Sequence, residues 1–277
     1  MKISEILKKY NNLEIEILLA HVLKKPREFL YMEPAYKLSA SQLISVKKLI
    51  TRREKGEPIA YILGYKDFLG LKFKVNKSVL IPRPETELLV ESIKLKVESI
   101  EQKKPVRILD VGTGSGVIAV SLAKQVQGAR FEAQVTVSDI SDKALAVAKE
   151  NAKAHKVKIK FIKSNLLKNV KNSFDIIVAN LPYGWKVWKN NSSAATKGLK
   201  FEPQIALFTE ENGLKLIREL LEQIVGLKVK PKLIYLEFDP RQKQNLAVLI
   251  KRTLPSARVT FHKDYAKMWR FVEIILE

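Results

Sequence analysis

The chain has 277 residues, 46% of them apolar and 29% charged, with no cysteine and a formal net charge of +21. No apolar run approaches the roughly 20 residues of a membrane-spanning helix, and the missing thiols exclude disulfides and thiolate metal sites. The length accommodates a full α/β core plus a small accessory domain, and the charge favours polyanions, which admits a nucleic-acid-rich partner such as the ribosome and equally a lysine-rich surface solvated on every face.

The first residues, Met1-Lys2-Ile3-Ser4-Glu5, run straight into an amphipathic helical pattern. The apolar stretch and small-residue cleavage site of a signal peptide are lacking, so a cytoplasmic location is expected. Apolar residues at helical spacing continue through Ile6, Leu7, Leu13, Ile17, Leu18, Leu43, Val46, Leu49 and Ile50, which predicts a small helical bundle over residues 1–70. Gly56, Pro58 and Gly64 interrupt this period, and the stretch Phe68 to Val75, with alternation at Leu71, Phe73 and Val75, predicts a short hairpin connector, the linker between domains being placed at 71–84. Leu80 to Glu85 reads as an extended entry to a second domain, 85–277, with Pro82 and Pro84 blocking helix before Glu85 and Thr86 placed to cap one.

From Val106 the pattern becomes short β-branched runs separated by helical stretches. The strand candidates are Val106–Val111, Gln134–Ser138, Ile159–Ile162, Phe174–Ala179, Leu233–Phe238, Arg258–His262 and Phe271–Leu276, with helices over Val117–Gln125 and Ser141–Ala154. Such alternation predicts a mostly parallel, doubly wound sheet. Only a turn separates the last two strands, so they should form an antiparallel hairpin at one edge.

The first of these strands ends in Asp110-Val111-Gly112-Thr113-Gly114-Ser115-Gly116 and enters an apolar helix. A dinucleotide fingerprint would require glycine at position 117, which is Val117, and a phosphate-binding P-loop would close on Gly-Lys-Ser/Thr. S-adenosylmethionine has no pyrophosphate and suits a loop that passes close to an amino acid and a ribose. Asp139 ends the next strand, roughly 20 residues further on, where a carboxylate can accept from both ribose hydroxyls. Tight packing of the glycines and capping by Asp139 are the structural alternatives.

The fourth strand delivers Asn180-Leu181-Pro182-Tyr183 to the carboxyl edge of the sheet, where ligands sit in open α/β folds. An amide nitrogen is a poor nucleophile because its lone pair is delocalised, so it must be held in place with both N–H bonds oriented. The Asn180 side-chain oxygen and the Leu181 carbonyl are two acceptors for this task, and Tyr183 can pack against the planar group. An ordinary strand-ending turn is the alternative, since Asn and Pro are common there.

With these two loops the chain resembles the glutamine methyltransferases that modify the Gly-Gly-Gln motif of peptide chain release factors. The resemblance covers nearly the whole chain. It is carried by Gly56-Glu57-Pro58-Ile59-Ala60-Tyr61-Ile62-Leu63-Gly64, Ile81-Pro82-Arg83-Pro84-Glu85-Thr86-Glu87, Phe201-Glu202-Pro203-Gln204-Ile205-Ala206-Leu207, and Asp264-Tyr265 with Arg270. It implies a seven-stranded, Rossmann-like methyltransferase domain with a helical N-terminal domain that helps bind the release factor. It also implies that Gly112, Thr113, Gly114, Ser115, Gly116 and Asp139 hold S-adenosylmethionine, with Asn165 and Leu166 near the adenine, and that S-adenosylhomocysteine is the product. Asn180 would touch both cofactor and substrate glutamine, Leu181 to Tyr183 would complete the glutamine site, and Thr86 would approach the methionine end.

The chain departs from the family at three places. Leu181 replaces the first proline of Asn-Pro-Pro-Tyr, which removes a steric restriction on Asn180. Asn165 and Leu166 stand in place of an acid and an aromatic. Gly226 to Pro231 replaces a glycine pair as a changed turn. His21, His155 and His262 are scattered without ligand spacing, so no metal site is expected. Trp185 and Trp188 are candidates for the substrate mouth or for lid packing. The competing readings are methylation of the adenine exocyclic amine in DNA or RNA, glutamine methylation of a ribosomal protein, and a cofactor-binding module without catalysis.

Overall fold

The computed structural model describes residues 1–99, 104–127, 132–185 and 198–276. The chain forms two compact units, Met1–Tyr65 and Lys66–Glu277. Among the described residues no helix is long and apolar enough to cross a membrane.

The first unit holds helices α1 (Ile3–Tyr10), α2 (Leu13–Leu23), α3 (Phe29–Met32), α4 (Ala40–Glu54) and α5 (Ile59–Leu63). Their starts follow from sequence: Asn12 caps α2 by accepting from Glu14 N at 2.8 Å, and Ser39 and Gln42 form a reciprocal capping box at α4. Ile3, Ile6, Leu18, Leu19, Leu30, Val46 and Ile50 form the core, as the helical spacing predicts. Leu13 differs and is exposed, because it sits at the first position of α2 before the stripe turns inward. The buried Glu57 accepts two bonds from Arg52, at 2.7 and 2.8 Å, which gives the Gly56–Gly64 block a structural purpose.

A hairpin of β1 (Tyr65–Phe68) and β2 (Leu71–Lys74) comes next. It starts earlier than the alternation suggests, because the turn falls on Leu69 and Gly70, both at positive φ, the geometry that matches strand twist in a two-residue loop. Phe68 and Phe73 are fully buried in the core of the second unit. Helix α6 (Glu85–Ser99) then leads to β3 (Val106–Val111), α7 (Val117–Val126), β4 (Ala133–Asp139), α8 (Asp142–Ala154), β5 (Ile159–Lys163) and β6 (Ile176–Ala179). The remainder is α9 (Gln204–Leu207), α10 (Lys215–Val225), β7 (Leu233–Glu237), α11 (Lys243–Thr253), β8 (Arg258–Lys263) and β9 (Trp269–Ile275).

Seven strands form one sheet in the order β5-β4-β3-β6-β7-β9-β8. The first five in that order are parallel, β9 runs antiparallel to β7, and β8 pairs antiparallel with β9 at the edge, as expected for the terminal hairpin. The fourth predicted strand is shorter at its start, because Asp175 turns its carboxylate onto the Arg107 backbone N–H at 2.8 Å. Period-two alternation divides the core: Ile176 and Val178 face α6, α7 and the hairpin, while Ile177 and Ala179 face α10 and α11. The chain leaves β3 toward β4 on one side and returns to β6 on the other. A crevice therefore opens at the carboxyl ends of β3 and its neighbours, the place where ligands bind in such sheets.

Candidate active site

At this crevice lies a cavity of about 380 Å³, within the range of small-molecule sites. Gly112, Thr113, Gly114 and Ser115 line it from the end of β3, Asp139 from β4, Asn165 and Leu166 from β5, and Asn180, Leu181 and Pro182 from β6. Two predicted residues are not in that lining. Gly116 turns toward α8, where a Cβ would meet the Ala148 Cβ at 3.1 Å. Tyr183 instead sends its hydroxyl to Glu237 at 3.2 Å.

The glycine loop is held by two acids. Thr113 donates to Asp110 Oδ2 at 2.6 Å, while Asp110 Oδ1 is buried with no hydrogen-bond partner among the described residues. Burial pushes the Asp110 carboxyl up to about 7. Asp139 accepts backbone N–H bonds from Gly114 at 2.9 Å and from Ser141 at 2.8 Å, and Ser141 in turn caps α8. Burial also raises the Asp139 carboxyl, against those bonds. Each carboxylate oxygen still has a second lone pair, so Asp139 can anchor the loop and accept from a diol as well. Gly114 has φ +57° and a Cβ placed there would meet nothing within 4 Å, so its outer face is open to the cavity. A nucleoside-bearing cofactor fits this set: an open backbone face, an anchored carboxylate, and the apolar Leu166 and Ile140 beside it.

The loop after β6 is braced from several directions. Gln242 donates to the Tyr183 carbonyl at 3.0 Å and to the Asn212 carbonyl at 2.8 Å, and Gly184 N donates to the Leu207 carbonyl at 2.8 Å. Gly213, at φ +83°, lets this brace close, because a Cβ there would lie 2.0 Å from the Tyr183 carbonyl oxygen. Asn180 donates its Nδ2 hydrogen to Thr86 Oγ1 at 3.2 Å, and its Oδ1 is buried without a partner among the described residues. Thr86 does not cap α6: its hydroxyl is buried and donates to Glu237 at 2.7 Å.

Several of these residues escaped the sequence reading. Glu237 and Asp110 are acids at or near the ends of buried, apolar strands, a legible sign that a carboxylate has a task there. Gln242 and Gly213 carry no such sign. Glu202 accepts from Ile81 N at 3.0 Å and from Arg83 at 2.7 Å, so two of the sequence blocks quoted above are bonded directly to each other. A third meets α6, where Arg270 pairs with Asp264 at 2.9 Å and approaches Glu85 at 4.0 Å. The Arg241 guanidinium stacks over Trp185, 4.7 Å from the ring centre, and Trp188 lies outside the described residues. The His262 ring stacks on Phe271 with centroids 4.6 Å apart.

Residues 3–64 match the family model described as the PrmC N-terminal domain, and residues 85–197 match the methyltransferase small domain. The chain is 37% identical to the release factor glutamine methyltransferase of Lactococcus lactis over 238 residues, 86% of this chain and 84% of that protein. The chain belongs to the release factor glutamine methyltransferase family. Another member, from Streptococcus pneumoniae, is 39% identical over 218 residues, 79% of this chain and 75% of its own length. The N-terminal domain of human METTL16, solved with SAH, shares the fold at 15% identity and a TM-score of 0.54, covering 93% of each chain. A methyltransferase from Pyrococcus furiosus does so at 20% identity and 0.51, covering 83% of this chain and 96% of its own.

Leu181 stands where the resemblance implies a proline. That side chain is buried, and its Cδ2 would lie 2.9 Å from a Cβ on Gly112. Leu181 thus packs the two cavity loops together, and the Gln242 and Gly184 bonds restrain the backbone that a proline would otherwise stiffen. Leu166 has φ +51° and is buried, so it keeps a costly left-handed backbone beside the cavity.

Proposed function

We propose that the protein transfers a methyl group from S-adenosylmethionine to the side-chain amide nitrogen of the glutamine in the Gly-Gly-Gln motif of peptide chain release factors, leaving S-adenosylhomocysteine. The observation that carries this reading is Asn180: a buried amide oxygen with no partner among the described residues, on the wall of a cavity shared with the glycine loop. Leaving a polar atom unsatisfied costs about 1 to 3 kcal/mol, so the site is built to receive a donor. A carboxamide NH₂ supplies two donors, one for Asn180 Oδ1 and one for the Leu181 carbonyl. Pro182 lines the cavity beside them, and Tyr183, outside that lining, steadies the loop through its hydroxyl bond to Glu237.

The bound cofactor supplies an electrophilic sulfonium methyl group. Asp139 would hold the ribose hydroxyls, Gly112 to Ser115 would lie along the amino-acid and ribose portions with Gly116 closing the turn onto α8, Asn165 and Leu166 would flank the adenine, and Asn180 would also touch the cofactor. Orientation of this kind contributes about 7 to 11 kcal/mol toward the barrier in well-positioned reactions. Residues 1–70 act as the recognition domain for the release factor, 71–84 as the linker, and 85–277 as the catalytic domain. A cytoplasmic location follows from this substrate, and the net charge of +21 supports an encounter in a nucleic-acid-rich setting such as the ribosome.

The test is incubation with labelled S-adenosylmethionine and a purified release factor, followed by mass spectrometry of the Gly-Gly-Gln peptide. One added methyl on that glutamine, lost when the glutamine is replaced, is the expected result. Label on DNA, RNA or a ribosomal protein instead would reject the reading.

A further inference from the structure

Side chains from three separate elements converge behind Asn180. Thr86, in the first turn of α6, donates its hydroxyl hydrogen to Glu237 Oε2 at 2.7 Å, and Thr86 Oγ1 itself accepts from Asn180 Nδ2 at 3.2 Å. Glu237, buried at the end of β7, accepts through Oε1 from the Tyr183 hydroxyl at 3.2 Å. A hydroxyl has one hydrogen. With that hydrogen committed to the carboxylate, Thr86 shows Asn180 only lone pairs, so Asn180 turns its NH₂ toward Thr86 and its oxygen the other way.

The orientation matters because a side-chain amide is nearly symmetric in shape. Flipped, Asn180 would set N–H donors against the N–H donors of a carboxamide, which neither group can satisfy. Among the described residues, Asn180 Oδ1 has no bond of its own to hold it, so the choice is made on the nitrogen side.

We infer that Thr86 and Glu237 are positioning residues for methyl transfer: the carboxylate directs a chain of hydrogen bonds that sets which atom of the Asn180 amide meets the substrate nitrogen. This rests on the role of Asn180 as acceptor proposed above. The direction of the chain depends on the charge of Glu237. Burial raises that carboxyl to about 7, against the bonds from Thr86 and Tyr183 and the charge of Arg270 on β9, with Glu85 on α6 adding to the rise. Tyr183, facing it from the loop after β6, is itself raised by burial and stays neutral. Protonated, Glu237 would donate to Thr86, freeing the Thr86 hydrogen for the Asn180 oxygen and reversing the chain. Ionisation restores it, so the rate rises as pH increases through about 7.

The experiment measures kcat, cofactor affinity, melting temperature and the pH–rate profile of the full chain with purified release factor and S-adenosylmethionine. Thr86→Val is expected to lower kcat about 10- to 100-fold while cofactor affinity stays within about threefold. Thr86→Ser keeps the hydroxyl and is expected to retain kcat within about threefold. Glu237→Gln is expected to lower kcat and abolish the acid limb of the profile near 7. If Asn180→Ala is slow but Thr86→Val matches the wild type, or Glu237→Gln keeps the acid limb, the inference is overturned. If Asn180→Ala is fully active, or no release factor is methylated, the functional reading fails and takes this inference with it.

Discussion

The two loops that wall the cavity are held by opposite means. In the glycine loop, Thr113 bonds to Asp110 three residues back, and Gly114 bonds to Asp139, which lies 25 residues on at the end of the adjacent strand. The loop after β6 depends on remote partners: Thr86 is 94 positions from Asn180, and Glu237 and Gln242 are 54 and 59 positions from Tyr183. A loop that offers its backbone to a ligand can be built from glycines and one neighbouring acid. A loop that must present one amide in one orientation needs a frame outside itself, since nothing within Asn-Leu-Pro-Tyr distinguishes the two faces of the asparagine.

The contrast is most sharply tested at Asn180. Asn180→Ala is expected to lower kcat about 10²- to 10³-fold with cofactor affinity nearly unchanged, the scale of removing one oriented polar contact in a reaction site. Steady-state kinetics beside cofactor titration would show it, and an equal loss in both would merge the two loops into one function.

Next in size is Gly213→Ala, which forces a Cβ to within 2.0 Å of the Tyr183 carbonyl oxygen at a backbone φ of +83°. Left-handed strain and the displaced brace together should cost about 2 to 3 kcal/mol of stability, measured by denaturant unfolding. A variant as stable as the wild type would mean the frame around Tyr183 yields freely.

Asp139→Ala acts on the other loop and should weaken cofactor binding by about 1 to 3 kcal/mol, with kcat at saturating cofactor far less affected than in Asn180→Ala. Isothermal titration would decide it; unchanged affinity would take the ribose contact away from Asp139.

The smallest effect is expected of Leu181→Pro. The new ring stiffens the segment but gives up buried contacts with Gly112, so stability should move by about 1 kcal/mol or less. A large gain in stability and rate would show that the Gln242 brace does not replace the proline.

Much of the scaffold was legible because it is written in local period. Alternating β-branched runs marked the strands, Ser141 marked the start of α8, and the short gap before Trp269 marked the terminal hairpin. Glycine spacing and Asp139 pointed to the crevice because both sit at the ends of recognisable strands. Thr86 misled, since a threonine near a helix start reads as a cap, whereas its partner Glu237 lies 151 positions away. Glu202, Gly213 and Gln242 were silent for the same reason: their work is defined by atoms that approach only after folding.

The sequence by itself determined the helical N-terminal domain, the doubly wound sheet and the residues brought to its carboxyl edge, because hydrophobic period and glycine placement act over a few neighbouring residues. Only the tertiary structure decided which way Asn180 faces and where the Tyr183 hydroxyl goes. Those outcomes depend on hydrogen-bond donors and acceptors from α6, β7 and the Pro240–Gln242 turn meeting at one buried point, and such a meeting has no period to read.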